Sequence, residues 1–150
     1  FFNSQLKNKI KVVQQSRPED IDKIYKSLKN LGLDFEVKDF YHNIYEQYNN
    51  ADLIVTRCGA STLAEIELFR KKSILFPLPS AMNNHQLFNA REFKKSNDCI
   101  IVDETNLDAQ LLSQDIKKLL FISKKGLNMY NKKTQNHKLS LSNYIKKIVD

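Results

Sequence analysis

At 150 residues the chain has the length of one domain, with no room for a second full core. Its 41% apolar and 27% charged residues exclude a collagen, a wholly disordered chain and a membrane bundle, and no apolar run approaches the roughly eighteen residues needed to cross a bilayer. The 24 Lys and Arg against 17 Asp and Glu give +7, a balance that suits nucleic acid, an anionic membrane surface or an anionic small ligand, although a solvated lysine surface is the commoner meaning of such a count. Cys58 and Cys99, without an export signal and without zinc-ligand spacing, read as reduced thiols of the cytoplasm. The opening Phe1-Phe2-Asn3-Ser4, without a methionine, reads as part of a longer chain.

The elements alternate. Ile10 to Val13 reads as a strand, and Pro18, Glu19 and Asp20 open a helix with Ile21, Ile24, Leu28 and Leu31 on one face, ended by Gly32. Phe35-Glu36-Val37 is the next strand and Ile44 to Tyr48 a short helix. Asp52-Leu53-Ile54-Val55 has the continuous apolar character of a buried parallel strand. Gly59-Ala60-Ser61-Thr62 turns into a helix running to Arg70, Ile74-Leu75-Phe76 is a fourth strand, residues 84–95 are helical, and Cys99 to Val102 is a fifth strand. From Leu107 the pattern is helical, in pieces broken near Ser123 and Gly126. This alternation predicts an α/β fold with a doubly wound, Rossmann-like parallel sheet, which binds ligands at the carboxyl ends of its strands.

Two loops lie at such ends. In Arg57-Cys58-Gly59-Ala60-Ser61-Thr62-Leu63-Ala64-Glu65, a glycine admits close approach and a helix start offers N–H groups to an anion such as phosphate. Glu65, one turn in, can accept hydrogen bonds from ribose hydroxyls. The same residues also fit a plain helix start, with Ser61 or Thr62 as cap and Glu65 answering the dipole. In the loop from Pro77 to Ala90, Asn83-Asn84-His85-Gln86 is dense in donors and acceptors of low fixed charge, an inventory suited to sugar hydroxyls, or else to a helix capped by Asn83 or Asn84. His85 has no second ligand at metal spacing.

Together these stretches resemble the nucleotide-sugar half of glycosyltransferase family 28. They are Ala51-Asp52-Leu53-Ile54 leading into Arg57-x-Gly59-Ala60-Ser61-Thr62-x-x-Glu65, and Pro77-Leu78-Pro79 followed by Asn83-Asn84-His85-Gln86-x-x-Asn89-Ala90. Within that family the resemblance is to the lipid II-forming N-acetylglucosaminyltransferases of peptidoglycan synthesis. It implies the C-terminal half of a two-domain GT-B enzyme, with a UDP-sugar-binding core over about residues 1–119 and C-terminal helices over about 120–150. It further implies that Ala60, Ser61, Thr62, Leu63, Ala64 and Glu65 lie along the uridine and diphosphate, with Glu65 on the ribose. Gln86 would hold the sugar hydroxyls with His85 and Asn89 nearby, and Tyr41 would present its backbone to the uracil. The implied reaction is an inverting transfer of N-acetylglucosamine from UDP-N-acetylglucosamine to a lipid-linked muramoyl-pentapeptide (lipid I to lipid II), without a metal, at the cytoplasmic face of a bacterial inner membrane.

The departures from the family pattern are also specific. The first strand of this half and its glycine-rich phosphate loop are missing, Phe1 to Ser4 resembling the helix that follows them, and the N-terminal domain that binds the lipid-linked acceptor is not present. The chain by itself is therefore expected to fold poorly or self-associate, to bind UDP weakly and to transfer nothing, and a non-catalytic UDP-sugar-binding subunit of a split glycosyltransferase is the alternative. Lys71-Lys72-Ser73 replaces the usual glycine and proline at a helix-to-strand turn, and Cys58 stands where serine is common. No catalytic base is identifiable, His42 and His137 reading as solvated residues. The lysine pairs from Lys117 to Lys147 match no nucleic-acid-binding module, so no nucleic-acid partner is expected, whereas an anionic membrane surface is compatible with them.

Overall fold

A computed structural model describes residues 8–80 and 84–121 of the chain. Strand β1 (Lys11–Gln15) passes through a 3-10 turn at Pro18–Asp20 into helix α1 (Ile21–Asn30), then β2 (Asp34–Lys38), α2 (Ile44–Asn50), β3 (Ile54–Arg57) and α3 (Ala60–Phe69). There follow β4 (Ser73–Phe76), α4 (His85–Lys94), β5 (Cys99–Ile101), a second 3-10 turn at Glu104–Asn106, and α5 (Ala109–Phe121). The readings of Phe1 to Ser4 as a helix, of Asn83 as a cap, of His137, and of helical pieces beyond Phe121 lie outside the described residues.

Local chemistry sets the boundaries. Pro18 supplies the fixed φ that a helical turn needs at its start, and the Arg17 guanidinium closes back on Asp20 with bonds of 3.0 and 2.8 Å. Gly32 takes φ 66° just past α1 and its N–H donates to Lys29 O at 3.0 Å, the left-handed stop that the sequence announces. The end of α3 has no glycine: Arg70 itself adopts φ 52°, its N–H donating to Glu67 O at 3.0 Å. The role that glycine usually takes at this turn thus falls on a residue with a Cβ.

All strand pairs are parallel. β1 pairs with β2, Lys11 opposite Asp34 through Gln15 opposite Lys38. The other sheet has the order β3-β4-β5, with Ile54 opposite Ser73 and Ser73 opposite Cys99. β1 and β3 each have a single hydrogen-bonded neighbour among the described residues. The most deeply buried strand among the described residues is β4, where Ser73, Ile74 and Leu75 are 0% exposed, and not the segment around Val55, which is 57% exposed. Pairing begins at Ile54, whose N–H donates to Lys72 O, so Asp52 and Leu53, expected in the strand, belong to the turn before it.

The core gathers Ile54, Cys58, Leu63, Ile66, Leu75, Ala90, Phe93 and Cys99, drawn from the three-stranded sheet, its β3–α3 link, α3 and α4. α1 buries no residue completely, its apolar stripe of Ile21, Ile24 and Leu28 being half-buried. α5 contributes buried Leu119, whose carbonyl accepts from Lys72 Nζ at 2.6 Å. Among the described residues the buried core thus lies along the β3–α3 link and α4, beside the two loops singled out above.

Candidate functional site

The first loop leaves β3 at Arg57, buries Cys58 completely and enters α3 through Gly59 as N-cap, with no side chain capping the helix. The reading of Ser61 or Thr62 as a cap is thereby corrected. Both lie inside the first turn, and the N-cap residue has no side chain. Leu63 N–H is taken by Gly59 O at 3.0 Å and its side chain is in the core, whereas Ala60, Ser61 and Ala64 are exposed and Thr62 half-buried. Gly59 has φ −66°, and a Cβ there would meet only Thr62 Oγ1 at 3.8 Å, so neither backbone strain nor packing demands glycine. The result is an uncapped helix N-terminus facing outward from a buried anchor.

Glu65 is half-buried, with the Tyr48 hydroxyl of α2 near enough to feel its charge. Burial first, and then the Glu65 carboxylate, raises the Tyr48 hydroxyl above its ordinary pKa. Tyr48 also packs on Phe69, centroids 6.0 Å apart. Sequence reading missed this partner; an aromatic residue on the short helix preceding the loop's strand was its only signal.

The second loop joins β4 to α4. Asn84 occupies the N-cap position with φ 54° and makes no side-chain cap bond, so the plain capped-helix reading fails at this residue too. Asparagine tolerates that conformation better than most residues. His85 is exposed at the start of α4. Gln86 Oε1 accepts two backbone N–H groups, from Leu78 at 3.0 Å and from Cys58 at 3.2 Å. Asn89 Nδ2 donates to Cys58 O at 3.2 Å. Gln86 and Asn89 are thus brought together with Cys58, whereas Tyr41, in the loop before α2, packs on β2, its hydroxyl donating to Glu36 O at 3.4 Å. The Tyr41 ring lies beneath Lys38 Nζ at 5.2 Å and the residue is 7% exposed. His42 is exposed and stacks edge-on with Phe40.

A further pair frames the mouth. Arg57, at the carboxyl end of β3, meets Glu104 beyond β5 in a two-point ion pair, and each holds the other in its charged form: the guanidinium is raised and the carboxyl lowered from their ordinary values, chiefly by this hydrogen bond. Sequence reading gave Glu104 no role, because the pair spans 47 residues. Among the described residues no group of three or more His, Cys, Asp or Glu could hold a metal ion, and no helix is long and apolar enough to cross a membrane.

The chain matches the glycosyltransferase family 28 C-terminal domain over residues 2–148. The chain belongs to glycosyltransferase family 28. This family 28 domain is 36% identical over 115 residues to a UDP-N-acetylglucosamine--N-acetylmuramyl-(pentapeptide) pyrophosphoryl-undecaprenol N-acetylglucosamine transferase of Thermodesulfovibrio yellowstonii, covering 77% of the chain and 31% of the relative. A transferase of the same name from Rickettsia bellii is 33% identical over 147 residues, covering 94% of the chain and 40% of the relative. The fold matches the crystal structure of Acinetobacter baumannii MurG with a TM-score of 0.68 at 23% identity, over 74% of the chain and 33% of that structure. The expected Rossmann-like α/β class is accordingly observed, and the chain spans about a third of the length of these relatives.

Proposed function

We propose that this domain is the donor half of an inverting glycosyltransferase, binding UDP-N-acetylglucosamine for transfer to a lipid-linked muramoyl-pentapeptide in peptidoglycan synthesis. One observation carries the reading: in a family 28 domain, Gln86 and Asn89 of α4 hold Cys58, just before the uncapped helix start at Ala60–Thr62, at the carboxyl ends of β3 and β4. The outward N–H groups of that start suit a diphosphate, Glu65 beside Tyr48 suits the ribose hydroxyls, and the amide nitrogen of Gln86 with His85 suits the sugar.

In this reading the acceptor hydroxyl attacks the anomeric carbon, the bond to the diphosphate oxygen breaks with inversion, and the electron pair leaves on UDP. The N-terminus of α3 stabilises that growing charge, a task that metals perform in other transferases. The acceptor would be held by a separate domain, and the net positive charge would favour the anionic cytoplasmic face of a bacterial inner membrane as a peripheral site. Equal sedimentation with neutral and anionic vesicles would remove that last element.

Ligand-observed NMR with UDP tests the core of the proposal, because it detects weak binding. The wild-type chain should give a UDP signal, and Glu65→Ala should weaken binding by about 1–3 kcal/mol, the usual effect of unpairing hydrogen bonds to a charged group. No UDP signal from the wild type, or equal affinity in the variant, would overturn the donor reading or the place of Glu65 in it.

A further inference from the structure

We infer that Gln86 and Asn89 are positioning residues which fix the phosphate-facing start of α3 by capturing the Cys58 peptide from both sides, an inference that rests on the donor reading above. Cys58 is 0% exposed and directly precedes Gly59, the N-cap of α3. Its N–H donates to Gln86 Oε1 and its carbonyl accepts from Asn89 Nδ2, each at 3.2 Å. Gln86 Oε1 simultaneously accepts from Leu78 N–H at 3.0 Å. The amide orientations follow from the partners: two N–H donors require an oxygen, and a carbonyl requires the NH2 group.

Gln86 and Asn89 are three residues apart on α4, hence on one face of it, and their bonds reach the ends of two strands. Neither strand end can shift without breaking a bond to the other's anchor. The start of α3 has no side-chain cap of its own to fix it, so the direction of the Ala60, Ser61 and Thr62 N–H groups depends on what holds Cys58. A ligand that uses those groups gains from their being placed before it arrives. The oxygen of Gln86 therefore serves the loop.

The two ends of Gln86 can be separated by substitution. Gln86→Leu removes both, whereas Gln86→Glu keeps an acceptor for Cys58 and Leu78 and removes the donor. Asn89→Ala removes only the bond to the Cys58 carbonyl and is the milder variant should Gln86→Leu fail to fold. Amide hydrogen exchange of residues 58–63 and affinities for UDP and for uridine are measured on the wild type and all three. Gln86→Leu and Asn89→Ala should speed exchange in that segment and weaken UDP about fivefold or more, as expected for a lost partner of a buried polar group. Uridine, which lacks the diphosphate, should be affected less, and Gln86→Glu should restore the slow exchange. Unchanged exchange in Gln86→Leu and Asn89→Ala would overturn the clamp whatever UDP does. Faster exchange with unchanged UDP affinity would overturn its role in donor binding, and absence of UDP binding to the wild type would overturn the donor reading itself.

Discussion

Arg57 and Glu104 meet across the carboxyl edge of the β3-β4-β5 sheet, Nη1 donating to Oε2 at 2.6 Å and Nη2 to Oε1 at 3.0 Å. Both side chains are close to half exposed, so water and salt screen the pair and its direct effect on stability is small. Geometry is its larger contribution, since it holds the 3-10 turn at Glu104–Asn106 beside the end of β3.

Glu104→Gln should therefore leave the thermal midpoint nearly unchanged at neutral pH while raising hydrogen exchange at the Asn106 N–H, which donates to Asp103 O at 3.3 Å. The same loosening should appear in the wild type in acid. Arg57 lowers the Glu104 pKa by favouring the ionised form, so the contact is present above the ordinary carboxylate range and is lost as pH falls through the lowered value. Unaltered exchange in Glu104→Gln would show that the turn is held by its own Asp103 side chain, which accepts from Thr105 N–H at 2.9 Å, and not by Arg57.

What the sequence disclosed depended on how local each signal is. Gly32, Pro18 and the alternation of apolar runs placed five strands and the helices between them, because turn chemistry and periodicity act within a few residues. The division into two hydrogen-bonded sheets, the exposure of Val55 and the turn at Asp52 and Leu53 depend on which strands pair, and no local pattern carries that. At the site, the helix start at Ala60 and the acid at Glu65 were legible as motifs. The commitment of the Gln86 oxygen to Cys58 and Leu78, the Tyr48 hydroxyl beside Glu65 and the Arg57–Glu104 pair are contacts between distant segments, visible only once the chain is folded.

Arg70 is an unusual helix stop. A left-handed residue with a Cβ carries a conformational cost of roughly 1–2 kcal/mol that glycine does not, partly offset by glycine's greater freedom in the unfolded chain. Its backbone bond to Glu67 O survives any substitution that keeps the N–H. Arg70→Gly should accordingly raise stability by up to about 1 kcal/mol, read from denaturant midpoints at constant slope. A lower midpoint would mean that the Arg70 side chain contributes more than its exposure suggests.

The two cysteines should be nearly inert in the folded protein. Cys58 has its thiol pushed up to about 11, first by burial and then by neighbouring Cys99, itself raised by burial. At pH 8 the thiolate fraction of such a group is about a hundredfold below that of an ordinary thiol. Alkylation by iodoacetamide should thus be slow until the chain is unfolded, when both thiols react. Because the folded state holds the Cys58 proton more tightly, this contribution to stability is complete below the ordinary value of 9.0 and is lost as pH rises through about 11. Rapid labelling of Cys58 at pH 8 without loss of structure would show that the β3–α3 loop opens readily.

β1 and β3 bear on the behaviour of the 150-residue chain alone. Each has one hydrogen-bonded neighbour among the described residues, and each carries an exposed valine, Val13 at 40% and Val55 at 57%. Parallel strands ordinarily sit between neighbours with both faces covered, and an apolar strand edge left open invites pairing with another chain. Domains are stable by only about 5–15 kcal/mol in total, so unpaired ladder groups at roughly 0.5–1.5 kcal/mol each are a substantial fraction of the margin. The chain by itself should therefore associate with rising concentration in sedimentation velocity, with a broadened thermal transition. Val55→Lys should shift it toward monomer, because a lysine on an exposed edge strand opposes pairing without removing a buried contact. A monomer at all concentrations with a sharp cooperative transition would show that the free edges of β1 and β3 are protected by some other part of the chain.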